Sequence, residues 1–473
     1  MPQTNVLLVT IDCLRYDRCG FAGHHRDTLP TLDALTTESL VFKNARAPGP
    51  RTAESVPGIL SSRLSANCAY LDELSFRTIP SDAETLGTWL RKHGYETIAT
   101  VANPQLSPVR NFDSGFDQFE NLRIDQEGDR FRSLAQGSAD ETGASLLYQV
   151  GKRLLSIGDA APINPTTVAY VANQYSQLYR TWPTVDGARV VSELASHLST
   201  DRTPFFAWTH LNDLHAPLHP ERVRAGGVYT NSNSRQFVHD ARRVRHRATA
   251  QYERMYDSVI RYVDTQIRKL FDHLREIGEY DNTLIIVTAD HGEALGDRGI
   301  YGHAAGDEQR LYDNDRDYLY RELLNVPLLV RLPSGESATV RSPFSLTWLH
   351  RILAESLDIP EGEFVESPDH SCRNPTATVF ADALTERGHT VAAITESTKV
   401  MTDGTSPGEI APENWFQCET VDEGERMWTS GADITSELRS EIEAKIVSPG
   451  SLQPVQGGIA SSTREQLADL GYR

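Results

Sequence analysis

Residues 284–303 read LIIVTADHGEALGDRGIYGH. The first four are apolar, and an uninterrupted apolar run is typical of a parallel strand that is covered on both faces. Asp290 and His291 follow this run, so a carboxylate and an imidazole lie at the end of the predicted strand. Open α/β sheets bind their ligands at the carboxyl ends of strands, and both groups are good metal ligands. The pair therefore predicts a divalent cation site, although a solvated turn after a core strand would explain it equally well.

The N-terminal segment supplies a second acid of the same kind. Residues 5–17 read NVLLVTIDCLRYD, a short apolar run rich in β-branched residues that ends in Asp12. In a parallel sheet two strand ends can lie side by side, so we expect Asp12, Asp290 and His291 to share one ion, which is Ca²⁺, Mg²⁺, Mn²⁺ or Zn²⁺. The alternative is that Asp12 caps a helix. Cys13 is either a small buried residue or a soft metal ligand.

A third segment, residues 48–62, reads PGPRTAESVPGILSS. Glycine and proline open a loop, and Thr52 to Ser55 lead into apolar residues, which predicts a helix start with Glu54 in the first turn. The hydroxyl of Thr52 or Ser55 is then either an ordinary N-cap or a nucleophile. Free N–H groups at a helix N-terminus favour anionic charge, and a neighbouring cation activates a hydroxyl.

Together these segments resemble the sulfatase family of the alkaline phosphatase superfamily. Further matching segments extend the resemblance over most of the chain: LNDLHAPLHP (211–220), YDSVIRYVDTQIRKLFDHL (256–274), YRELLNVPLLVRLP (320–333) and LADLGYR (467–473). The resemblance implies an α/β fold, an alkaline-phosphatase-like three-layer sandwich with a mostly parallel central sheet and a smaller C-terminal antiparallel sheet.

The resemblance also implies roles for individual residues. The family's metal ligands correspond to four residues of this chain: Asp12, Thr52, Asp290 and His291. Thr52 takes the place of the nucleophile. His215 falls on a substrate-binding histidine, and His303 falls where many members have a lysine that contacts the ester. We expect both histidines to orient the ester and one of them to protonate the leaving oxygen.

Three departures from the family pattern affect the chemistry. Cys13 replaces the second acid of an Asp-Asp pair, and Thr52 replaces the cysteine that becomes formylglycine. Val56 replaces an arginine that steadies the nucleophile. The candidates to replace that arginine are Arg51, Arg15 and Arg63, and we assign Arg51 to substrate binding.

The threonine determines the predicted function. A threonine ester must be attacked by water or by an acceptor, and relatives with serine or threonine here are generally phosphatases, phosphodiesterases or phosphoglycerol transferases. We therefore predict a metal-dependent hydrolase of sulfate or phosphate esters with Thr52 as nucleophile. The alternatives are a phosphotransferase or phosphodiesterase of the same superfamily, or a catalytically inactive ligand-binding relative.

Composition limits the partners and the setting. The net charge of −19 argues against nucleic-acid binding, so we expect a small-molecule or glycan ester as the substrate. Five cysteines without paired spacing indicate reduced thiols, and no signal peptide is evident, so we expect a cytoplasmic protein. No apolar stretch reaches the roughly 18 residues of a membrane span. The sequence leaves the oligomeric state open.

The predicted domains are a catalytic domain over residues 1–370 and a C-terminal subdomain over residues 371–473. Residues 121–185 fit no alternation of strand and helix, and they are either an insertion that caps the active-site face or a surface excursion. PFFAWTHL (204–211) predicts a buried strand in which His210 is structural. From residue 376 to residue 403 two alternating segments predict antiparallel strands joined by a glycine-containing turn.

Overall fold

The structure is a computed structural model that describes residues 3–71, 73–123, 184–198, 204–229, 249–297, 301–303, 319–367, 378–385, 388–402, 410, 415–421, 424–429, 434–455 and 464. The predicted insertion at residues 121–185 lies outside these residues except at its two ends, and so does the matching segment at residues 467–473. The division at residue 370 therefore stays a prediction.

The described strands and helices alternate along much of the chain. The strands are β1 (Asn5–Ile11), β2 (Leu40–Phe42), β3 (Ala45–Arg46), β4 (Ala69–Leu71), β5 (Glu73–Thr78), β6 (Glu96–Val101), β7 (Gln118–Asn121), β8 (Phe205–Leu211), β9 (Thr283–Ala289), β10 (Ala294–Leu295), β11 (Tyr301–Gly302), β12 (Leu328–Arg331), β13 (Ala338–Val340), β14 (Phe344–Ser345), β15 (Val379–Thr385), β16 (Gly388–Ile394), β17 (Thr398–Thr402), β18 (Trp415–Val421), β19 (Gly424–Thr429) and β20 (Pro454–Val455). The helices are α1 (Pro30–Leu35), α2 (Thr52–Ser61), α3 (Leu86–Lys92), α4 (Gly187–His197), α5 (Pro220–Gly226), α6 (Thr249–Glu276), α7 (Arg321–Leu324), α8 (Leu349–Leu357) and α9 (Ser436–Lys445).

The central sheet has eight strands in the order β13-β2-β12-β9-β1-β8-β6-β7. β1 runs parallel to β8 and β9, and β6 runs parallel to β7 and β8. β12 is antiparallel to both of its neighbours. The ends of the three central strands are level, because Ile11 pairs with Leu211 on one side and with Ala289 on the other. The residues that follow these three strands therefore meet at one edge of the sheet.

Apolar sequence explains why β1, β8 and β9 lie in the middle of this sheet. Every residue of the three strands is buried, as a parallel strand covered on both faces requires. The long helix α6 contacts α1, α4 and α5, whereas α2 contacts α3. α3 and α4 both contact β6, so the helices pack directly on the sheet.

The C-terminal sheet is antiparallel and has the strand order β15-β16-β17-β18-β19. β15 pairs with β16 from Thr385 and Gly388 outward, which confirms the predicted hairpin. Val379 and Ala381 on β15 belong to the main core, whereas Val391 on β16 packs in a second, smaller core. β18 and β19 extend this sheet beyond the predicted strands. No helix in the part of the chain that the structure describes is long and apolar enough to cross a membrane.

Candidate active site

The predicted metal ligands meet at the carboxyl edge of the central sheet. Asp12 follows β1, and Asp290 and His291 follow β9, its parallel neighbour. His291 Nε2 lies 3.4 Å from Asp12 Oδ1 and 3.5 Å from Asp290 Oδ2. All three side chains are buried, and their ligand atoms are close enough to bind one ion. Together with Thr52 these residues are called the strand-end cluster.

The donor atoms of the strand-end cluster fit a cation. Asp12 Oδ2 and Asp290 Oδ2 are buried and have no hydrogen-bond partner among the described residues. Burial opposes ionisation of Asp12, but His210 and the other nearby histidines outweigh it, so the pKa of Asp12 is lowered. Burial, together with the charge of Asp12, raises the pKa of Asp290. Two buried carboxylates with unsatisfied oxygens are costly unless an opposite charge joins them, and a divalent ion supplies that charge.

His291 has the tautomer that a metal ligand requires. Its Nδ1 donates to the carbonyl oxygen of Gly292 at 2.7 Å, which directs Nε2 to the carboxylates. Burial disfavours the imidazolium, but Asp290 and Asp12 outweigh this effect and raise the pKa of His291. A Cβ at Gly292 would lie 2.0 Å from the carbonyl oxygen of Glu322, so only glycine fits there. The turn after β9 is thus fixed by packing against α7.

Thr52 is the first residue of α2, and Arg51 is the N-cap. The Thr52 hydroxyl oxygen lies 3.2 Å from His291 Nε2, so it adjoins both carboxylates. Ser55, the alternative nucleophile, donates its hydroxyl hydrogen to the carbonyl oxygen of Asp290 at 2.5 Å. That bond ties α2 to the end of β9. The geometry therefore favours Thr52 over Ser55 as the nucleophile.

His303 and His215 face each other beside the strand-end cluster. The centroid of the His303 ring lies 5.1 Å from that of His215 and 4.4 Å from that of His291. His303 Nδ1 lies 2.8 Å from a carboxylate oxygen of Glu293. His215 Nδ1 donates to the carbonyl oxygen of Ala216 at 2.8 Å, and burial lowers the pKa of His215 to about 4. His215 is therefore neutral near pH 7, and its Nε2 is a hydrogen-bond acceptor.

Sequence reasoning missed two residues of this site. Glu293 stands in the quoted motif, but the linear sequence does not show that it meets His303. His210 lies within β8 as predicted, yet the view that it is only structural is incomplete, because its Nε2 lies 3.9 Å from Asp12 Oδ2. The linear sequence carried no signal for this contact, because it depends on the pairing of β8 with β1, which places His210 opposite Thr10, two residues before Asp12.

Cys13 is buried at the same place. Its Sγ lies 2.9 Å from Asp12 Oδ1 and 3.6 Å from His303 Nδ1. Burial, together with the charges of Asp12 and Glu293, raises the pKa of the Cys13 thiol well above its ordinary value. Cys13 is therefore in contact with the site and is not a remote core residue.

Each of the three candidate arginines makes hydrogen bonds or ion pairs with other residues of the protein. Arg51 Nε donates to both carboxylate oxygens of Glu54 at 3.0 and 3.1 Å, so a buried acid balances its charge at the start of α2. Arg15 pairs with two aspartates, and Arg63 donates to a backbone carbonyl oxygen. The role of Arg51 in substrate binding stays a prediction.

Known proteins match most of this chain in sequence. A family model described as Sulfatase matches residues 4–354, a span that contains the strand-end cluster, His215 and His303. The chain belongs to the sulfatase family. Within this family, human N-acetylgalactosamine-6-sulfatase is 23% identical over 316 residues, which are 62% of this chain and 51% of that protein. The multifunctional alkaline phosphatase superfamily protein PehA of Trinickia caryophylli is 31% identical over 356 residues, 64% of this chain and 65% of that protein.

The chain thus spans about half to two thirds of the length of these two relatives. Among solved structures, the phosphonate monoester hydrolase of Silicibacter pomeroyi superposes with a TM-score of 0.61 at 17% identity, with 93% of each chain covered. At this identity the likeness speaks for the fold alone. It confirms the predicted fold class, a mostly parallel central sheet with a small antiparallel sheet.

Proposed function

We propose that this protein is a metal-dependent hydrolase of sulfate or phosphate esters that uses Thr52 as its nucleophile. One observation carries the proposal. Thr52 is the first residue of a helix, and its hydroxyl oxygen lies 3.2 Å from His291 Nε2. Next to His291 are two buried carboxylates, each of which has an oxygen without a hydrogen-bond partner among the described residues. A helix N-terminus favours an anionic substrate, and the carboxylates favour a cation.

Asp12, Asp290 and His291 would hold the metal, with Thr52 adjoining it. When bound there, a divalent cation supplies Lewis acidity, which lowers the pKa of a neighbouring hydroxyl and offsets charge on the non-bridging oxygens of the ester. The predicted metal site is therefore part of this proposal, and the candidate ions are Ca²⁺, Mg²⁺, Mn²⁺ and Zn²⁺.

The remaining steps belong to side chains of this protein. Thr52 Oγ1 first loses its proton to solvent, and the resulting alkoxide forms a bond to phosphorus or sulfur as the bond to the leaving oxygen breaks, which gives a threonine ester. His303 donates a proton to the leaving oxygen, while His215, a neutral acceptor, binds a hydroxyl group of the substrate. Water then attacks the phosphorus or sulfur of the threonine ester, the bond to Thr52 Oγ1 breaks and restores the alkoxide, and the deprotonated His303 accepts the proton that the water loses.

Threonine at this position favours phosphate esters over sulfate esters. A formylglycine hydrate can release sulfate by reopening its aldehyde, but threonine has a single hydroxyl and depends on attack by water. The names of the relatives include both a sulfatase and a phosphonate monoester hydrolase, so both ester classes belong in the test. The substrate class is a small molecule or a glycan that carries such an ester.

The test is a screen of nitrophenyl sulfate, phosphate monoester, phosphodiester and phosphonate monoester substrates. Each is incubated with chelator-treated protein and with protein restored by each of the four ions in turn. We expect turnover only after metal is restored, with phosphate or phosphonate esters faster than the sulfate. Absence of turnover with every ester and every ion would contradict the hydrolase and favour an inactive ligand-binding protein.

A further inference from the structure

A second group of metal-ligating side chains adjoins the strand-end cluster. Cys13, His291 and His303 place one ligand atom each within 4.8 Å of one another, and all three are buried. Cys13 Sγ and His303 Nδ1 are 3.6 Å apart. Zn–S and Zn–N bonds of about 2.3 and 2.0 Å at a tetrahedral angle place the two ligand atoms about 3.5 Å apart. The sulfur and nitrogen are therefore spaced like two ligands of one ion.

Two carboxylates adjoin this group, in which His291 turns its Nε2 to the strand-end carboxylates. Glu293 Oε2 lies 2.8 Å from His303 Nδ1, and Asp12 Oδ1 lies 2.9 Å from Cys13 Sγ. Glu293 is buried, and its carboxylate is a suitable ligand for the ions that thiolates bind. The same Asp12 oxygen lies 3.4 Å from His291 Nε2, so Asp12 stands between the two groups.

The backbone of Cys13 supports a functional role for its side chain. Its φ of +63° lies in the left-handed region, where a residue with a Cβ is strained. The other described residues of this kind, apart from glycines, are Ser62, Asn111 and Asp358, and each of them is the C-cap of a helix. Cys13 instead follows a strand, and Tyr256 donates to its carbonyl oxygen. Strained residues of this type are concentrated at functional sites.

Two other buried cysteines provide a contrast. The thiols of Cys19 and Cys68 each donate to a backbone carbonyl oxygen at 3.6 Å, which is the ordinary behaviour of a structural cysteine. The thiol of Cys13 instead contacts a carboxylate and an imidazole. Cys19 is therefore a matched control for substitutions at Cys13.

We propose that Cys13 and His303, with the carboxylate of Glu293 next to His303 Nδ1, form a second cation position beside the strand-end cluster, and that this position takes a thiophilic ion such as Zn²⁺. Thiolate and imidazole ligands favour Zn²⁺ over Mg²⁺ and Ca²⁺, which prefer oxygen. An ion at Nδ1 leaves Nε2 as the ring nitrogen of His303 that acts on the leaving oxygen. This last consequence rests on the proposed function, in which His303 protonates the leaving oxygen.

The experiment uses Co²⁺ as the probe, because a cysteine thiolate bound to Co²⁺ gives a charge-transfer absorption. Chelator-treated protein is reconstituted with Co²⁺, and metal content is measured alongside. We expect this absorption in the wild type and in Cys19→Ser. Cys13→Ser should lose the absorption and part of the bound metal. Asp290→Asn should keep the absorption and lose the metal of the strand-end cluster.

A measurement on the wild type covers the case in which Cys13→Ser does not fold. X-ray absorption of Zn²⁺-loaded wild-type protein should show a sulfur neighbour at about 2.3 Å. Only nitrogen and oxygen neighbours, or an absorption of Co²⁺ that persists in Cys13→Ser, would overturn the proposal. Neither readout depends on turnover. Loss of hydrolysis with the absorption intact would therefore contradict the proposed function and not the second cation position.

Discussion

Two buried carboxylate clusters of this protein differ in how their oxygens are satisfied. The Asp382 cluster joins the C-terminal sheet to the catalytic core and comprises four residues: Asp382, His389, Ser65 and Ala66. Asp382 Oδ1 accepts from the backbone N–H of Ser65 at 2.9 Å. Its Oδ2 accepts from the N–H of Ala66 and from His389 Nε2, both at 3.0 Å. In the strand-end cluster, Asp12 Oδ2 and Asp290 Oδ2 have no such partner among the described residues.

The difference separates a structural carboxylate from a functional one. A buried acid that accepts several hydrogen bonds stabilises the fold, and removal of the acid leaves its buried donors without an acceptor. A buried acid with an open oxygen destabilises the metal-free protein and is retained for what it binds. Burial alone does not distinguish the two, since Asp382 is as inaccessible as Asp290.

The largest expected effect concerns the two hydroxyls near the strand-end cluster. Thr52→Ala should lower kcat/KM by about 10³-fold or more, because it removes the nucleophile. Ser55→Ala should retain turnover, because the Ser55 hydroxyl serves only its bond to the carbonyl oxygen of Asp290. Steady-state kinetics on the best ester of the screen decide between them. An active Thr52→Ala protein with an inactive Ser55→Ala protein would move the nucleophile to Ser55.

The next effect tests whether His303 acts on the substrate. His303→Ala should lower the rate by about 10²- to 10⁴-fold for esters with basic leaving groups, because the proton donor is lost. The loss should shrink for nitrophenyl esters, whose leaving groups need little protonation. The measurement is rate against leaving-group pKa, with metal analysis alongside. An equal loss for all leaving groups with reduced metal content would assign His303 to metal binding alone, and an equal loss with metal retained would leave neither role.

An aspartate-to-asparagine substitution should destabilise the protein in the Asp382 cluster but not in the strand-end cluster. In metal-free protein, Asp382→Asn should lower the free energy of unfolding by about 1.5–3 kcal/mol, because charged hydrogen bonds to Ser65, Ala66 and His389 are lost. Asp290→Asn should leave it unchanged or raise it, because one of two adjacent buried charges is removed. Urea unfolding of both variants measures this. An equal loss in Asp290→Asn would make the strand-end cluster structural.

The smallest expected effect is a loss of stabilisation by Asp382 at low pH. Burial alone would raise the pKa of Asp382, but the bond from His389 and the N–H of Ser65 outweigh it, so the pKa is lowered in the folded protein. Asp382 therefore contributes stability above the unfolded value of about 3.9 and loses that contribution as the pH falls through the folded value. The Tm difference between wild type and Asp382→Asn should be constant at neutral pH and shrink below about pH 4. A difference that persists unchanged in acid would contradict this role.

Much of the fold could be predicted because its central strands are mostly apolar. β1 and β9 are continuous buried runs, and their ends identified Asp12, Asp290 and His291 without knowledge of the tertiary structure. The C-terminal hairpin was predicted from two alternating segments and a glycine-containing turn between them. β18 and β19 were missed because their segments carry no comparable pattern.

The contacts around the predicted metal ligands could not be predicted, because they depend on strand order and on the path of loops. The pairing of Glu293 with His303 joins residues ten positions apart across a turn, and the approach of His210 to Asp12 requires β8 beside β1. The pairing of Arg51 with Glu54 was readable in principle, since the two are three residues apart at a helix start. The cytoplasmic location stays a prediction.

Calorimetric titration of chelator-treated protein with Mg²⁺, Ca²⁺ and Mn²⁺ tests the strand-end cluster most directly. These ions prefer oxygen ligands, so they do not report on the position at Cys13. The strand-end cluster predicts that wild type and Asp382→Asn bind at least one of them alike, and that Asp290→Asn binds it at least about 100-fold more weakly. Undiminished binding by Asp290→Asn would contradict the assignment of Asp12, Asp290 and His291 as the metal ligands.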